Sequence, residues 1–381
     1  MRNLSLPLPF AAAVLASHIS MAKAEDFTAR AGAFFEPVVK QYDIPGLVVG
    51  VTKKGVHQFY TVGLASRADN RPVTPDTLFE LGSMSKLFNV TLAALAEGHG
   101  KLSLDDTVAH HVCADACAIG DHLTLMDLAT HHSGGLPLQV PDGISDVNGL
   151  VRWLKDWHPP QPGARSYSNI SIGMLGYISG KAMGSSYEQA VQDVLFPAFG
   201  LQHTWIDVPK DDTDQYAYGY DRKTNAPIRV SPGVLDAEAY GVKSSARDML
   251  TVLDIELGRG KASDELRKAV ERTHEGQYHT AFFTQDMIWE QYPWPTELQT
   301  MMSGNGYDFI MKPQPVDKIT PPLTPQKDVI LNKTGSTNGF GGYIAMVPRE
   351  GLGIVVLANK NYPNEARVKA TYSLIKALES E

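Results

Sequence analysis

The chain has 381 residues, 43% of them hydrophobic and 20% charged, with a formal net charge of −8. That length supports one large domain or two lobes sharing a site, and the composition is that of an ordinary globular protein, not a low-complexity one. The acidic balance leaves no basic footprint for nucleic acid or for an anionic membrane surface, so neither is expected as a partner.

Arg2, the mostly apolar stretch from Leu4 to Ala16, and Ala22-Lys23-Ala24 before Glu25 occur in the order of a secretory signal. Residues 1–24 are therefore expected to be a signal peptide cleaved near Ala24, delivering the mature chain to the periplasm. No later segment has the ~18 consecutive apolar residues of a membrane span.

Gly46 to Thr52 and Gln58 to Val62 are β-rich runs around Lys53-Lys54-Gly55, which predicts a hairpin. Ser83 and Lys86 follow, three apart, at the start of an apolar-periodic helix that ends at Gly98-His99-Gly100. This spacing sets both side chains on one face within hydrogen-bond reach. A serine hydroxyl needs a proton acceptor to become a nucleophile, and a desolvated amine can serve. Read in isolation, the same four residues are a helix cap beside a surface lysine.

Cys113 and Cys117 are the only cysteines. An oxidising compartment favours a bridge between them and the short spacing opposes it, so both states stay open. The twelve histidines, His131-His132 among them, show no metal-ligand spacing and are read as structural or surface groups. No metal and no cofactor is expected.

Leu123 to Thr130, Val147 to Trp157, Ile170 to Met183 and Tyr187 to Leu195 read as helices. Between them lies Tyr167-Ser168-Asn169. A phenol held between two ammonium groups can carry protons, and the Asn169 amide can both accept and donate. Val230 to Tyr240 and most of the Pro-rich stretch Tyr292 to Pro325 read as loops. Lys333-Thr334-Gly335 ends a strand that begins near Val329. Its lysine and hydroxyl can bind a carboxylate, its glycine lets a ligand lie along the strand edge, and the Ser336 N–H with that of Ser83 can form an oxyanion hole. Strands at Tyr343 to Val347 and Gly353 to Leu357 follow, then an amphipathic helix from Asn364 with Val368, Tyr372, Ile375 and Leu378 on one stripe.

These elements predict an α/β (α+β) fold: an antiparallel sheet flanked by the terminal helices, with a mainly helical lobe inserted. The expected boundaries are 25–78 and 220–381 for the α/β lobe and 79–219 for the helical lobe.

Ser83-x-x-Lys86, Tyr167-Ser168-Asn169 and Lys333-Thr334-Gly335 together resemble the motif set of the penicillin-recognising serine enzymes. The tyrosine in the middle motif makes the chain similar to the class C (AmpC-type) β-lactamases. Phe79 to Lys86, Gly134 to Gln139, His203-Thr204-Trp205, Ser231-Pro232-Gly233, Asp236 to Ser244 and Ala358 to Asn364 extend the resemblance over essentially the whole mature chain.

The resemblance implies a β-lactamase/penicillin-binding-protein-like fold and an exported serine β-lactamase. It would act as a monomer on penicillins and cephalosporins through a Ser83 acyl-enzyme. Lys86 and Tyr167 would share the proton transfers, and Lys333 would position Tyr167 and attract the substrate carboxylate. Gln139 and Asn169 would hold the lactam side chain, Tyr240 would wall it, and Thr334, Gly335 and Ser336 would receive the substrate along the strand. Asn361, Asn364 and Arg367 would line the carboxylate side. Met84 stands where valine is more common, Ser336 where many members have alanine, and Asp286 and Ile288 where glycines are expected before Trp289-Glu290. The alternatives are a DD-peptidase or esterase of the same fold, inhibited slowly by β-lactams, and a silent peptidoglycan-binding protein. Intact Lys333-Thr334-Gly335 argues against the esterase branch.

Overall fold

The computed structural model describes residues 10–113 and 123–379, with side chains from Asp26 onward. Lys54 and Gly55 take left-handed φ values of 54° and 83°. This is the two-residue turn that matches strand twist, and it closes strand β1 (Gly46–Lys53) on β2 (Val56–Ser66) with Lys53 opposite Val56. The sheet continues with β3 (Arg71–Pro72), β4 (Gly276–His279), β5 (Thr284–Gln285), β6 (Glu290–Pro293), β7 (Asp317–Leu323), β8 (Val329–Ser336), β9 (Gly341–Val347) and β10 (Leu352–Ala358). Its spatial order is β7-β4-β5-β6-β8-β9-β10-β1-β2-β3. Strands from the two ends of the chain meet at its centre, where β1 pairs antiparallel with β10 from Leu47 opposite Ala358 to Lys53 opposite Leu352.

The helices that frame the site are α1 (Phe10–Gln41), α2 (Lys86–Gly98), α3 (Leu125–Ala129), α4 (Asn169–Ala182), α5 (Ala246–Glu256), α6 (Asp264–Thr273) and α7 (Asn364–Glu379). Leu47, Val49 and Val51 of β1 share a core with Phe27, Ala31 and Phe35 of α1 and with Val368, Leu374 and Ile375 of α7. On the opposite sheet face, Val48, Val355 and Leu357 share a second core with Leu250 and Leu253 of α5 and with α2, α4 and α6. Both faces of β1 are thus covered, which explains a continuous apolar run where an exposed sheet would alternate. Burying each such Val or Leu contributes roughly 1.5–3 kcal/mol.

α1 runs through the expected cleavage point near Ala24, and the described side chains it sends into the core, Phe27, Ala31 and Phe35, all lie beyond that point. Cys117 lies outside the described residues, and the pairing of Cys113 falls there with it. Among the described residues, no helix is long and apolar enough to cross a membrane.

The stretch from Tyr292 to Pro325 is not mostly loop. It holds the end of β6, helices Leu298–Gly304 and Tyr307–Met311, a short strand Gln314–Pro315, and β7. β7 is the outermost strand next to β4, and Pro321 and Pro322 fall in the register break between the Lys318 and Leu323 pairs, where no ladder bond is asked of them. Val230 to Tyr240 likewise contains a helical turn, Asp236–Ala239. The helix expected from Tyr187 to Leu195 widens into a π turn at Val191–Leu195. α5 and α6 were not expected. Ser245 and Ser263 cap them by accepting from Asp248 N and Leu266 N.

Candidate active site

Ser83 sits in a 3-10 turn, Gly82–Ser85, that leads directly into α2. The turn is pressed against the end of β8. Gly82 has φ 53°, and a Cβ there would fall 2.4 Å from Ser336 N. A Cβ on Gly335 would fall 2.1 Å from Leu81 O. Two glycines at the contact therefore let the nucleophile segment and the strand approach at backbone distance.

Lys86 is fully buried, which excludes the surface-lysine reading. Its Nζ donates to Ser83 Oγ at 3.0 Å, to Asn169 Oδ1 at 2.8 Å and to Ala239 O at 2.6 Å. Burial pulls its pKa down to about 8, Tyr167 opposing and Lys333 reinforcing the drop. Asn169 opens α4. The preceding Ser168 caps that helix by accepting from Ser171 N, and donates its own hydroxyl to Pro137 O. Asn169 Nδ2 donates to Gln139 Oε1 at 3.3 Å, joining the two amides.

The Tyr167 ring lies between the ammonium groups, 5.4 Å from Lys86 Nζ and 5.1 Å from Lys333 Nζ. Burial alone would raise its pKa, but Lys333 and then Lys86 outweigh that and bring it to about 8. Its buried hydroxyl completes no hydrogen bond of full geometry among the described residues, but Ser83 faces it and lowers its pKa further.

Lys333, at 1% exposure, donates to Thr334 O and lies 4.0 Å from Glu290 Oε1. Glu290 is buried and its pKa is raised by desolvation, against the pull of Lys333 and Arg165. Arg165, also buried, donates to Gln285 Oε1 at 2.7 Å, with Nη2 3.8 Å from Glu290 Oε1. Sequence reading missed this Arg165–Glu290 support. Its members come from β6 and the segment before α4, and no local pattern joins them.

A cleft of about 480 Å³ opens over these groups, lined by Ser83, Gln139, Asn169, Tyr240, Ser336 and Asn361. Arg229, not anticipated, lines it too. It is held over the Tyr216 and Tyr218 rings and donates to Tyr216 O. β8 pairs with β6 only from Val329 to Asn332, so its 333–336 portion has no strand on that side.

Three expected positions differ. Gly335 turns its missing side chain toward Leu81 and Met84, not toward a ligand. Arg367 is fully buried behind β8 and does not line the cleft. It donates to Gly335 O at 2.7 Å, Ser336 Oγ at 3.0 Å, Gly342 O at 3.1 Å and Asn361 Oδ1 at 2.7 Å. Asn364 donates to Asn305 O and also stands off the cleft lining. Both were placed by the resemblance, but the first turns of α7 rotate them toward β8 and toward the helices after β6. Among the described residues, no group of three or more His, Cys, Asp or Glu side chains could hold a metal.

The comparisons with known proteins agree with this geometry. The family model described as Beta-lactamase matches residues 31–379. A β-lactamase of Pseudomonas fluorescens is 41% identical over 346 residues, covering 90% of this chain and 96% of that protein. A β-lactamase structure from Sulfitobacter sp. EE-36 is 61% identical with TM-score 0.92, covering 94% of this chain and 99% of the other. A class C β-lactamase structure from Rhodobacter sphaeroides is 64% identical with TM-score 0.90, covering 92% and 99%. With Ser83 and Tyr167 set against the buried Lys86 and Lys333 on the same fold, the chain belongs to the β-lactamase family.

Proposed function

We propose that the protein is an exported class C serine β-lactamase that opens cephalosporins and penicillins in the periplasm, acting as a monomer. The observation that carries the reading is Lys86 Nζ at 3.0 Å from Ser83 Oγ, with Tyr167 between Lys86 and Lys333. The cleft would lie between an α/β lobe of 25–78 and 220–381 and a helical lobe of 79–219.

Ser83 Oγ attacks the lactam carbonyl carbon as its proton passes to the Lys86–Tyr167 pair, which titrates as a coupled unit. Negative charge on the former carbonyl oxygen is received by the N–H groups of Ser83 and Ser336. The C–N bond then breaks, and the ring nitrogen takes a proton from Tyr167. In the second half a water gives its proton to the same pair and attacks the ester, and Ser83 leaves with a proton restored. Gln139 and Asn169 bind the substrate's side-chain amide, Tyr240 walls it, and Thr334 and Asn361 meet its carboxylate. Lys333 acts by its charge beside Tyr167, and Arg367 from behind the strand by holding Ser336 and Asn361.

A second reading has support from relatives. One neighbour 41% identical is described as a β-lactamase/D-alanine carboxypeptidase, from Pseudomonas syringae. Steady-state turnover of a cephalosporin, a short-chain ester and a D-Ala-D-Ala peptide distinguishes the two. Fast cephalosporin turnover with a transient Ser83 adduct by mass supports the lactamase. A long-lived adduct with peptide turnover refutes it. N-terminal sequencing of periplasmic protein, expected to start near Glu25, tests the export.

A further inference from the structure

His131 is a buried histidine one residue beyond the C-cap of α3, with φ 59°, and it has no part in the chemistry above. Its backbone N–H donates back to Leu128 O within the turn, while its carbonyl, its Nδ1 and its ring all face the segment Ser166 to Ser168. The His131 carbonyl accepts from Ser166 N at 2.7 Å. Its Nδ1 accepts from Ser168 N at 3.3 Å. Its ring lies 4.3 Å from the Tyr167 ring, centroid to centroid, tilted by 48°. Tyr167 is therefore bracketed on both sides in the chain, and its ring is packed at a tilt by the same residue. We infer that His131 is a positioning residue for Tyr167, an uncharged ring that fixes where the phenol stands between Lys86 and Lys333. The inference rests on the reading of Tyr167 as proton carrier.

Two features make this more than core packing. The first is the tautomer. Because Ser168 N–H donates to Nδ1, the imidazole proton belongs on Nε2, which has no partner among the described residues. A ring that accepts from the residue next to its target is oriented by that bond, not merely wedged. The second is charge. Arg165, Lys86 and Lys333 all face this ring, and with burial they hold its pKa well below the ordinary histidine value. It stays neutral over the working range, so it supports the phenol without adding a cation beside it. A protonated ring would lose the Ser168 bond and repel both lysines.

The backbone conformation also bears on the choice of residue. Left-handed φ is tolerated by His, Asn and Gly far better than by bulky or branched side chains. The tight turn from α3 into Gly134-Gly135 thus permits a small set of residues. Of these only histidine offers both a ring and an acceptor.

The test compares His131→Asn, which keeps an acceptor and suits the backbone but removes the ring, with His131→Phe, which keeps a ring but leaves Ser168 N–H unpaired. Tyr167→Phe is the control. Each is measured for kcat and KM with a chromogenic cephalosporin from pH 5 to 10, and for melting temperature. We expect both His131 variants to lose about tenfold in kcat, a misplacement of a fraction of an ångström. KM should stay within about threefold, the signature of an interaction realised in the transition state. The rising limb of kcat should move to higher pH, because a phenol displaced from the two ammonium groups is a weaker acid. Wild-type kcat and an unmoved limb in both variants overturn the inference. So does a loss confined to KM or to melting temperature. Should His131→Phe fail to fold, His131→Asn alone decides. Wild-type turnover by Tyr167→Phe would instead sink the proton-carrier reading, whatever the His131 variants do.

Discussion

Removing the Lys333 charge should change the pH at which the enzyme works more than it changes substrate binding. Lys333 Nζ is 5.1 Å from the Tyr167 ring and is the largest influence lowering the phenol's pKa. At that distance and an effective dielectric of about 20, one charge is worth about 3 kcal/mol to the phenolate. Lys333→Met would not deliver all of it. Glu290, 4.0 Å from Lys333, raises the Tyr167 pKa while it is ionised, and without Lys333 this buried carboxyl protonates more readily. The loss of that opposing charge returns part of the effect, leaving roughly 1.5–2 kcal/mol, or at least one pH unit. The sign is fixed by role: a base must be deprotonated, so raising its pKa from about 8 moves the rising limb of kcat/KM to higher pH. At pH 6 the variant should be about tenfold or more below wild type beyond any effect on KM. The assay is cephalosporin turnover from pH 5 to 10 for Lys333→Met and for Lys333→Met with Glu290→Gln. The double variant should place the limb at the pH of the single one or lower, never higher, because any charge Glu290 keeps opposes the phenolate. An unmoved limb in a folded Lys333→Met protein would refute the electrostatic role.

Further outcomes follow from other contacts. Ser83→Ala should abolish cephalosporin turnover and the mass adduct while leaving the melting temperature near wild type; residual normal hydrolysis would remove Ser83 from the mechanism. Gly335→Ala drives a Cβ to 2.1 Å from Leu81 O, a backbone atom, and should destabilise by about 1–3 kcal/mol with a matching loss of kcat; denaturant unfolding checks the first part. Arg367→Ala removes five described side-chain hydrogen bonds, to Gly335, Ser336, Gly342, Asn361 and Tyr362, and should lower stability by about 2–4 kcal/mol. Asn361→Ala should mainly raise KM, so equal stability losses in the two would refute their different placement. Asp286 is fully buried, its carboxylate oxygens lack hydrogen-bond partners among the described residues, and burial holds its pKa well above 3.8. The folded state then keeps a proton that the unfolded chain releases above 3.8, so stability contributed at low pH is lost as pH rises toward the folded pKa. Asp286→Asn should flatten that slope between pH 4 and 8, and an unchanged slope by thermal melting would assign it to other groups.

The parts of the fold legible in the sequence were those with a local cause. The hairpin at Lys54-Gly55, the helix after Ser83 and the paired strands flanking the last turn each carry their own periodicity or turn chemistry. The stretch from 292 to 325 misled because proline normally marks loops, whereas here Pro321 and Pro322 sit where the register of an edge strand breaks and no ladder N–H is required. α5 and α6 carried usable signals that the sequence reading passed over, Ser245 three before Asp248 and Ser263 before Asp264-Glu265. In the site, residue types and order were readable, but burial was not. Nothing local distinguishes Lys86 from a surface lysine; its three acceptors come from α2's own turn, α4 and the turn before Tyr240. Arg165, Glu290 and His131 were illegible for the same reason, since each acts across elements far apart in the chain.

The saturation of Lys86 decides more than its position. As an ammonium it has three hydrogens, and they go to Ser83 Oγ, Asn169 Oδ1 and Ala239 O. The latter two oxygens can only accept. When Lys86 gives up a proton, its two remaining hydrogens stay committed to them, and the amine's lone pair is left with one direction to point, at the Ser83 hydroxyl. An amine in water would sample every orientation before one was productive. Here the same two acceptors that anchor the charged form aim the neutral one, so deprotonation and alignment toward the nucleophile are a single event.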